Sequence, residues 1–502
     1  MKSVAFHNLG CKVNSYEMDV MQQKLQNYGY KIVEFNQKAD VYIINTCTVT
    51  NIADRKSRQM LHRAKKQNPE AVVVAVGCYV QTAEAEIEKD PCIDLAIGNN
   101  RKKDLPEILQ AYFAGRDSAA GENDAQVRMQ DILDICNTQE YEEMQLVRTA
   151  EHTRAYIKIQ DGCNQFCSYC VIPYARGRVR SRKPENIIRE IEGLAAAGYK
   201  EVVLTGIHLS SYGLDFHGES YNENRSALCP DSGELLSVIE KVHAIEGITR
   251  IRLGSLEPRI VTEEFAQRLA GLTKVCPHFH LSLQSGCDSV LRRMNRRYTC
   301  EEFEHGAAIL RAAFENPAIT TDIITGFPGE TEEEHEQTKA FLEKIRFFEM
   351  HVFPYSKREK TVAANMPGQL TEKVKKERSA ELLAMEKRHS AAYRHQFIGT
   401  DTEVLFERIQ EKDGREYLIG HTRNYLKVAL PVSSLAAGTP ADTTALTFAP
   451  VAGTDPASYL NREVRCRLDG FLDEETLFAD LTSMRPESKT EIVKHNNRHR
   501  IS

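Results

Sequence analysis

Short runs of β-branched and apolar residues alternate with helix-length stretches over most of the chain. Six such runs follow one another from residue 155, with the sequences YIKIQDG, EVVLTGI, RIRLGS, HFHLSL, ITTDIITG and MHVFPYS. Strands separated by helices form parallel sheets whose faces those helices cover. Because the pattern gives six units and shows no sign of two more, it predicts an open, partial (β/α)6 barrel rather than a closed eight-stranded one.

An earlier alternation predicts a separate parallel α/β domain over residues 1–115, of the flavodoxin-like or Rossmann-like kind. It contains VAFHNL (4–9), VYIINT (41–46) and AVVVAVG (71–77), with helices expected from about Asn14 to Tyr28 and over 52–67. Residues 116–150 are rich in Gly, Asp and Glu and are interpreted as a linker. The barrel domain is then expected over 151–397.

The last part of the chain has the pattern of a small β-barrel. After a charged helical stretch, VLFERIQ, YLIGHT, YLKVAL and VRCRLDGF indicate short strands joined by turns, which predicts an OB-like barrel over 398–481. Residues 482–502 form a polar, basic tail that we expect to be loose.

Composition indicates the cellular compartment of the protein and the kind of chemistry that its cysteines support. The N-terminus has neither a basic nor an apolar leader segment, and no window is apolar enough to span a membrane, so we expect a cytoplasmic protein without membrane contact. Thirteen cysteines in 502 residues are too sparse for a disulfide framework. Clustered cysteines in a reducing compartment therefore indicate metal or redox chemistry.

The segment DGCNQFCSYC places three cysteines on a loop directly after the first barrel strand. Cys163, Cys167 and Cys170 can bind three irons of a 4Fe-4S cube and leave the fourth iron open for another ligand. Structural zinc is the alternative, but a closed zinc site needs a fourth ligand, which would have to come from elsewhere in the chain.

Three more cysteines each follow a strand of the N-terminal domain. Cys11 follows VAFHNLG, Cys47 follows VYIINT and Cys78 follows AVVVAVG. A single cysteine in such a position is most often a small buried apolar residue. Three parallel strands, however, would bring these three thiols to one edge of one sheet, where they fit a second cube with one open iron.

The cysteine spacing, with Tyr169 before the last cysteine, resembles the radical S-adenosylmethionine (radical SAM) superfamily. Several motifs narrow the resemblance to the methylthiotransferases, in particular the branch that acts on threonylcarbamoyladenosine in tRNA. They are NLGCKVNSYE, NTCTVTNIADRKSRQ, VGCYVQ, QDGCNQFCSYCVIPYARGRVRSR and VFPYSKREKTVAANMPGQ. In the same way, the C-terminal barrel resembles the TRAM domain, an RNA-binding module.

The resemblance implies an enzyme with two 4Fe-4S clusters that uses two molecules of S-adenosylmethionine in each turnover. One molecule is cleaved to a radical at the cluster of Cys163, Cys167 and Cys170, and the radical removes hydrogen from C2 of the adenine. The other molecule methylates sulfur carried on the cluster of Cys11, Cys47 and Cys78. A sulfur donor is implied, as is an electron donor such as a flavodoxin or ferredoxin.

Residues after the other barrel strands are candidates for binding S-adenosylmethionine. Glycines there let the backbone approach a nucleoside closely, and hydroxyl or amide side chains can hydrogen-bond to it. The candidates are Gly206, Ser255, Ser282, Gln284, Gly326 and Gly329.

Basic residues after the cysteine loop are candidates for binding the tRNA anticodon loop, whose unstacked bases are accessible. They are Arg176, Arg178, Arg180, Arg182 and Lys183, and RRMNRR (292–297) forms a second basic cluster. The charge of the C-terminal barrel weakens the electrostatic case that this module itself binds RNA, since residues 401–480 contain 14 acidic and 8 basic residues.

Other substrates stay open at this point. Related branches act on isopentenyladenosine in tRNA or on an aspartate of a ribosomal protein, and a metal-binding RNA adaptor without enzymatic activity is a further alternative. The remaining cysteines match no ligand position of the family, and we assign them to packing or bare surface. They are Cys92, Cys136, Cys229, Cys276, Cys287, Cys300 and Cys466.

Overall fold

The chain forms two compact units, Met1–Ser390 and Ala391–Ser502. The structure is a computed structural model and describes residues 1–119, 129–147, 153–216, 232–437 and 455–481. The predicted basic tail, residues 482–502, and Cys229 lie outside the described residues. None of the helices within those ranges has the length and apolar character needed to cross a membrane.

The first unit begins with a parallel sheet of six strands in the order β2-β1-β3-β4-β5-β6. This is the strand order of flavodoxin-like folds, one of the two kinds of parallel α/β domain expected from the sequence. All residues of β3 and β4 are buried, as is typical of parallel strands with helices on both faces. The strands are β1 (Ser3–Asn8), β2 (Lys31–Val33), β3 (Val41–Thr46), β4 (Val72–Gly77), β5 (Leu95–Ile97) and β6 (Met129–Asp131).

The segment interpreted as a linker contributes to this sheet. Its first part continues the helix Leu105–Ala119, and β6 then pairs in parallel with β5. Beyond β6, Ile135, Met144 and Leu146 are buried. The many Gly, Asp and Glu residues of the segment concealed the few apolar side chains that attach it to the core.

The second part of the first unit is the open barrel that the sequence predicts. Six parallel strands match the six predicted runs, and bridges Ile251↔Val275 and Leu256↔Leu281 join the two halves of the barrel. A two-residue strand, β8, pairs antiparallel with the first of them. The strands are β7 (Arg154–Asp161), β8 (Arg180–Ser181), β9 (Glu201–Gly206), β10 (Arg250–Leu253), β11 (His278–His280), β12 (Ala318–Thr325) and β13 (Glu349–Pro354).

Helices cover the outer faces of both sheets and begin at local sequence signals. Thr299 and Thr331 each form a capping box with the glutamate three residues later, which satisfies N–H groups at the start of two barrel helices. The helices are α1 (Lys12–Asn27), α2 (Asn51–Gln67), α3 (Cys78–Thr82), α4 (Glu84–Lys89), α5 (Leu105–Ala119), α6 (Ile172–Arg176), α7 (Pro184–Ala196), α8 (Ser232–Ala244), α9 (Glu263–Gly271), α10 (Asp288–Arg293), α11 (Cys300–Ala313), α12 (Glu332–Ile345) and α13 (Glu372–His395).

The second unit contains a closed barrel of five strands in the order β14-β15-β16-β18-β17. Its strand count and closure confirm the predicted OB-like barrel. Four strands match the predicted runs, whereas the last strand, which is only five residues long, was not predicted. The strands are β14 (Asp401–Lys412), β15 (Arg415–Thr422), β16 (Lys427–Pro431), β17 (Glu463–Phe471) and β18 (Thr476–Asp480).

The N-terminal sheet and the open barrel pack together within the first unit. Helix α1 of the N-terminal sheet lies against β7 and β9 of the barrel. The buried hydroxyl of Tyr16, on α1, donates to the Met144 carbonyl over 2.6 Å and to the Glu190 carboxylate over 3.1 Å. One phenol therefore connects α1, the segment after β6 and α7.

We expect Tyr16→Phe to destabilise the first unit by about 1–3 kcal/mol, because it leaves a buried carbonyl without its donor. Tyr28 provides a matched control at the end of the same helix, since it is 47% exposed and, among the described residues, its hydroxyl bonds only to Glu107. Scanning calorimetry should show a lower unfolding temperature for Tyr16→Phe than for the wild type. The unfolding temperature of Tyr28→Phe should be almost unchanged. Equal transitions for the two variants would contradict the assigned role.

Candidate active site

Three neighbouring strands of the N-terminal sheet end beside cysteines. Cys47 directly follows β3, Cys78 directly follows β4, and Cys11 lies three residues after β1. Because β3 pairs in parallel with both β1 and β4, the three thiols are brought to one edge of the sheet. At Gly10, where φ is 110°, a Cβ would lie 3.2 Å from the Cys47 sulfur, so only glycine permits this close approach.

The three thiols of this N-terminal triad affect one another electrostatically. Burial, followed by the neighbouring thiols of Cys78 and Cys11, raises the pKa of Cys47 to about 12. The surrounding protein and the neighbouring Cys78 thiol raise the pKa of Cys11 as well, although the residue is exposed. Without a bound cation the Cys47 thiol stays protonated at neutral pH, so a thiolate there requires a metal centre to hold it.

A buried arginine of the barrel region contacts this triad. Arg176 ends α6, and its Nε donates to the Cys78 sulfur over 3.2 Å. Its other nitrogens donate to Glu17 over 2.5 Å and to the Asn14 side-chain oxygen over 2.5 Å. The Asn99 amide lies 3.6 Å from the same sulfur. Two nitrogen donors from different parts of the chain therefore surround this sulfur.

Cations outnumber carboxylates in the buried network around Arg176. The carboxylate of Glu17 pairs with Lys102, Lys158 and Arg176, and their charges hold its pKa well below the usual range although burial alone would raise it. Within the described part of the chain, four buried cations lie near three buried carboxylates: Lys102, Lys158, Arg176 and Arg180 lie near Glu17, Asp161 and Glu142. Burial raises the pKa of the neighbouring Glu142 and disfavours its charge.

Such a surplus of buried positive charge is costly unless an anion offsets it. A cube held by the three thiolates of the N-terminal triad is a net anion once the positive charge of its iron–sulfide core is counted, and it would offset part of this surplus. The donor set and its surroundings therefore fit an iron–sulfur cluster at this edge.

The second triad lies on the loop after β7. At Gly162 a Cβ would lie 1.8 Å from the Arg178 carbonyl oxygen, so the loop requires glycine there. The Cys163 N–H donates to the Gly177 carbonyl over 3.0 Å, and the Cys170 N–H donates to the Cys167 carbonyl over 2.9 Å. Backbone contacts thus hold the cysteine loop in a defined shape.

The RRMNRR segment supports this loop. Arg296 Nη1 donates to the Cys167 sulfur over 3.4 Å, and the Asn295 side chain donates to the Phe166 carbonyl over 3.0 Å. Burial, with the neighbouring Cys167 thiol, raises the pKa of Cys170 to about 12. In this second triad, as in the first, an arginine distant in sequence faces one of the sulfurs.

The spacing of the thiols argues against a single zinc ion at either triad. Thiolates on one tetrahedral zinc lie about 3.8 Å apart, since each Zn–S bond is about 2.3 Å long. Among the described residues, the groups whose donor atoms all lie within 4.8 Å are His62–Asp90–Cys92 and His280–Asp322–His351. Neither cysteine triad is one of these groups, and a wider spacing suits a cube in which each thiolate binds a different iron.

The residues predicted to bind S-adenosylmethionine follow the barrel strands at the same edge as the second triad. Ser255 is exposed there, and the Ser282 carbonyl accepts hydrogen bonds from Arg296 and Tyr298. Gln284 has a φ of 75°, and its backbone pairs with β12. Gly206 packs on the Gln160 side chain, which is where a Cβ would lie.

Two of the predicted glycines have packing reasons of their own. A Cβ at Gly326 would lie 2.5 Å from the Lys375 side chain, and the Gly329 N–H donates to the Gly368 carbonyl over 2.8 Å. The structure thus explains these two glycines without a ligand, and cofactor binding by the six residues stays a prediction.

The structure contradicts the prediction of RNA binding for three of the five basic residues after the cysteine loop. Arg176, Arg180 and Arg182 are at most 1% exposed, and Arg182 pairs with Glu190 and Glu143. Carboxylates from distant segments enclose these guanidinium groups, so no phosphate can reach them. Arg178 and Lys183 are exposed, and Arg178 lies over the Phe166 ring, 4.5 Å from its centroid.

Sequence reasoning missed Glu257, a carboxylate beside the cysteine loop. The Gln165 side chain on that loop donates to Glu257 over 3.2 Å. Burial alone would raise the pKa of Glu257, but His208 and Arg259 lower it to about 2. The sequence contained only a weak signal, since Glu257 follows β10 in a GSLEPR segment at the carboxyl end of a barrel strand.

Comparison with known proteins gives the family. Residues 157–342 match the radical SAM superfamily, and residues 3–98 match the uncharacterized protein family UPF0004. The threonylcarbamoyladenosine tRNA methylthiotransferase MtaB of Bacillus subtilis is 41% identical over 85% of this chain and 90% of its own. The chain belongs to the radical SAM tRNA methylthiotransferases. It is therefore a transferase that acts on tRNA, and its cofactors are S-adenosylmethionine and two 4Fe-4S clusters.

Another relative is named for a different substrate. The tRNA-2-methylthio-N(6)-dimethylallyladenosine synthase of a Thermoanaerobacter species is 34% identical over 84% of this chain and 86% of its own. A solved structure of the radical S-adenosylmethionine methyltransferase TsrM from Kitasatospora setae, with cobalamin and a 4Fe-4S cluster bound, matches 70% of this chain and 75% of its own. Its TM-score is 0.50 at 18% identity, which supports the fold alone.

The other described cysteines differ in their exposure to solvent. Cys276, Cys287 and Cys466 are buried, whereas Cys136 is exposed. Cys92 and Cys300 are partly exposed, and Cys92 lies beside His62 and Asp90. Packing or bare surface stays the prediction for these residues.

We expect Arg176→Met to make the midpoint potential of the N-terminal cluster more negative by on the order of 50 mV. The substitution removes a hydrogen bond and a positive charge that favour the reduced, more negative cluster. A background in which Cys163, Cys167 and Cys170 are alanine isolates this cluster, and an anaerobic titration followed by electron paramagnetic resonance gives its potential.

Arg178→Met is the matched control, because this arginine is two residues away and exposed. It should leave the potential unchanged. A potential that is the same in Arg176→Met and Arg178→Met would show that Arg176 does not influence the cluster.

Proposed function

We propose that this enzyme converts N6-threonylcarbamoyladenosine in the tRNA anticodon loop to its 2-methylthio derivative. The observation that carries the proposal is the 41% identity with a relative named for this substrate, against 34% for the relative named for the dimethylallyl substrate. The near-complete coverage of both chains means that the comparison includes the N-terminal sheet as well as the barrel. Because the site forms part of a tRNA-modifying enzyme, we place the reaction in the cytoplasm.

In this proposal the two triads have separate roles. Cys163, Cys167 and Cys170 hold the cluster at which S-adenosylmethionine binds, and Cys11, Cys47 and Cys78 hold the cluster that carries sulfur. Bound at these sites, the cofactors supply a 5'-deoxyadenosyl radical that removes hydrogen from C2 of the adenine, and the sulfur and methyl group that replace it.

In each triad, an arginine donates a hydrogen bond to one of the sulfurs. Arg296 donates to Cys167 from the segment after α10, and Arg176 donates to Cys78 across the contact between the N-terminal sheet and the barrel. The left-handed turns at Gly10 and Gly162 bring the cysteine loops close to neighbouring backbone. A rigid set of ligands of this kind fixes the distance between the two reacting centres.

Two partners follow from the electron and sulfur balance of the reaction. Radical formation consumes an electron, for which we propose a flavodoxin or ferredoxin, and each product removes one sulfur atom that a sulfur donor must replace. Of the predicted contacts with tRNA, those of Arg178 and Lys183 stay compatible with the structure because both side chains are exposed.

Nucleoside analysis of tRNA tests the substrate. Deleting the gene should remove 2-methylthio-threonylcarbamoyladenosine and leave its precursor, as measured by mass spectrometry of digested tRNA. Reintroducing the wild-type gene should restore the product. The substrate assignment is wrong if the product persists while the isopentenyl analogue, or the modified aspartate of a ribosomal protein, disappears.

Single substitutions separate the two triads. Cys163→Ala should abolish formation of both 5'-deoxyadenosine and the methylthio product, because cleavage of S-adenosylmethionine needs the barrel cluster. Cys47→Ala should lose the methylthio product but retain cleavage. Chromatography of the small-molecule products measures both, and Cys136→Ala, at an exposed cysteine, is the control. Loss of cleavage only in Cys47→Ala would reverse the assignment.

A further inference from the structure

The inner face of the open barrel is polar and charged. Along each strand, residues that pack into the core under the helices alternate with residues that face the interior. Phe279, Ile323 and Met350 belong to the core. Other residues of these strands, and of β7, β9 and β10, occupy the positions between the core residues and therefore point into the barrel. They are Arg154, Glu201, Arg252, His278, His280, Asp322 and His351.

Three of these side chains form a compact group on adjacent strands. The donor atoms of His280, Asp322 and His351 all lie within 4.8 Å of one another. His280 Nε2 is 3.3 Å from the Asp322 carboxylate, and the two imidazole rings stack with centroids 6.0 Å apart. The group offers both donors and an acceptor to a polar ligand.

Lys12 extends into the same interior from the first turn of α1. It lies within electrostatic reach of Arg154, Arg252, Asp322 and Glu201. Glu201 is already occupied, because it pairs with Arg154 and with Arg252, the latter over 2.8 Å. Within the described ranges no hydrogen bond or ion pair involves the Lys12 ammonium, and its side chain is accessible to solvent. An accessible ammonium without a partner among the described residues is available to an anionic ligand that enters the interior.

This polar interior lies between the two cysteine triads. Lys12 is adjacent in sequence to Cys11, a residue of the N-terminal triad. On the other side, Asp322 is within electrostatic reach of Arg296, which donates to Cys167 of the second triad. A ligand that contacts Lys12 and Asp322 together therefore lies where the target base must be placed. A metal ion is disfavoured there, since Lys12 and Arg296 both lie near Asp322.

We propose that Lys12 binds the carboxylate of the amino-acid substituent on the target adenosine and so selects this substrate over apolar analogues. The inference rests on the proposed function and adds the group that recognises the substrate. The threonylcarbamoyl substituent has one carboxylate for Lys12. Its hydroxyl and urea N–H groups suit the carboxylate and imidazoles of Asp322, His280 and His351.

The physical basis of selection is the cost of leaving charges unpaired. An isopentenyl substituent would cover Lys12 and Asp322 with hydrocarbon and give neither a partner. A site built around polar contacts rejects an analogue that lacks them far more strongly than an apolar pocket rejects an added polar group. The same charges thus bind one substituent and exclude the other.

The test compares an acid with its ester on the same RNA. Anticodon stem-loops carrying threonylcarbamoyladenosine, or the methyl ester of its carboxylate, are bound to the anaerobic holoenzyme and followed by fluorescence anisotropy. The ester has no negative charge to pair with Lys12, so its complex lacks one hydrogen-bonded charge pair. We therefore expect the wild type to bind the acid about 10- to 100-fold more tightly than the ester. Lys12→Met should bind both RNAs alike, and Lys12→Arg should retain most of the preference.

Lys373→Met, at an exposed position of α13, is the control and should keep the full preference. The readout is the ratio of the affinities for the two RNAs, measured on one protein preparation. It therefore does not depend on the fraction of protein that folds or carries clusters. Equal binding of acid and ester by the wild type, as expected if Lys12 instead held the carboxylate of S-adenosylmethionine, would overturn the inference. An undiminished preference in Lys12→Met would do so as well.

Turnover of the acid stem-loop distinguishes an error in the role of Lys12 from an error in the proposed function. A wild-type enzyme that forms methylthio product from the acid but shows no preference over the ester refutes only the role of Lys12. A wild-type enzyme that methylthiolates an isopentenyladenosine stem-loop and not the acid refutes the proposed substrate, and the role of Lys12 with it.

Discussion

The buried contact between Arg176 and Glu17 connects the main parts of the first unit. Glu17 is on α1 of the N-terminal sheet, and Arg176 is on α6, between the cysteine loop and the rest of the barrel. Both side chains are almost completely buried, so the cost of removing their charges from water is recovered only in one geometry. The N-terminal sheet therefore packs against the barrel in one register. This register also fixes the position of the sheet edge that carries Cys11, Cys47 and Cys78.

The same network explains why a cluster is compatible with so many buried cations. Lys102 and Lys158 also pair with Glu17, and a second carboxylate, Asp161, does not balance the remaining charge. Thiolates bound to iron bring the missing negative charge to the place where Arg176 already points. Cluster binding and the docking of the two sheets are thus favoured by the same electrostatic interaction, and we expect each to stabilise the other.

Much of the fold and both triads could be predicted because their signals are local. A strand has a recognisable run of residues, and a cysteine directly after the run is placed at the sheet edge by chain connectivity alone. The short strands β2 and β18 were missed because three to five residues show too little periodicity. The buried arginines were misassigned for a different reason. ARGRVRSRK has the composition of a basic surface, and Arg176 finds Glu17 159 residues away, which no local pattern indicates.

The charged side chains of the first unit fall into two classes once these contacts are known. Arg176, Arg182 and Arg252 each have a carboxylate partner within the chain, and their charges hold the fold together. Lys12 differs from them: it is accessible to solvent, lies next to a cluster cysteine, and has no ion pair among the described residues. Its unpaired charge is best explained by a ligand that supplies the carboxylate, and among the alternatives considered for the tRNA base only the threonylcarbamoyl group has one.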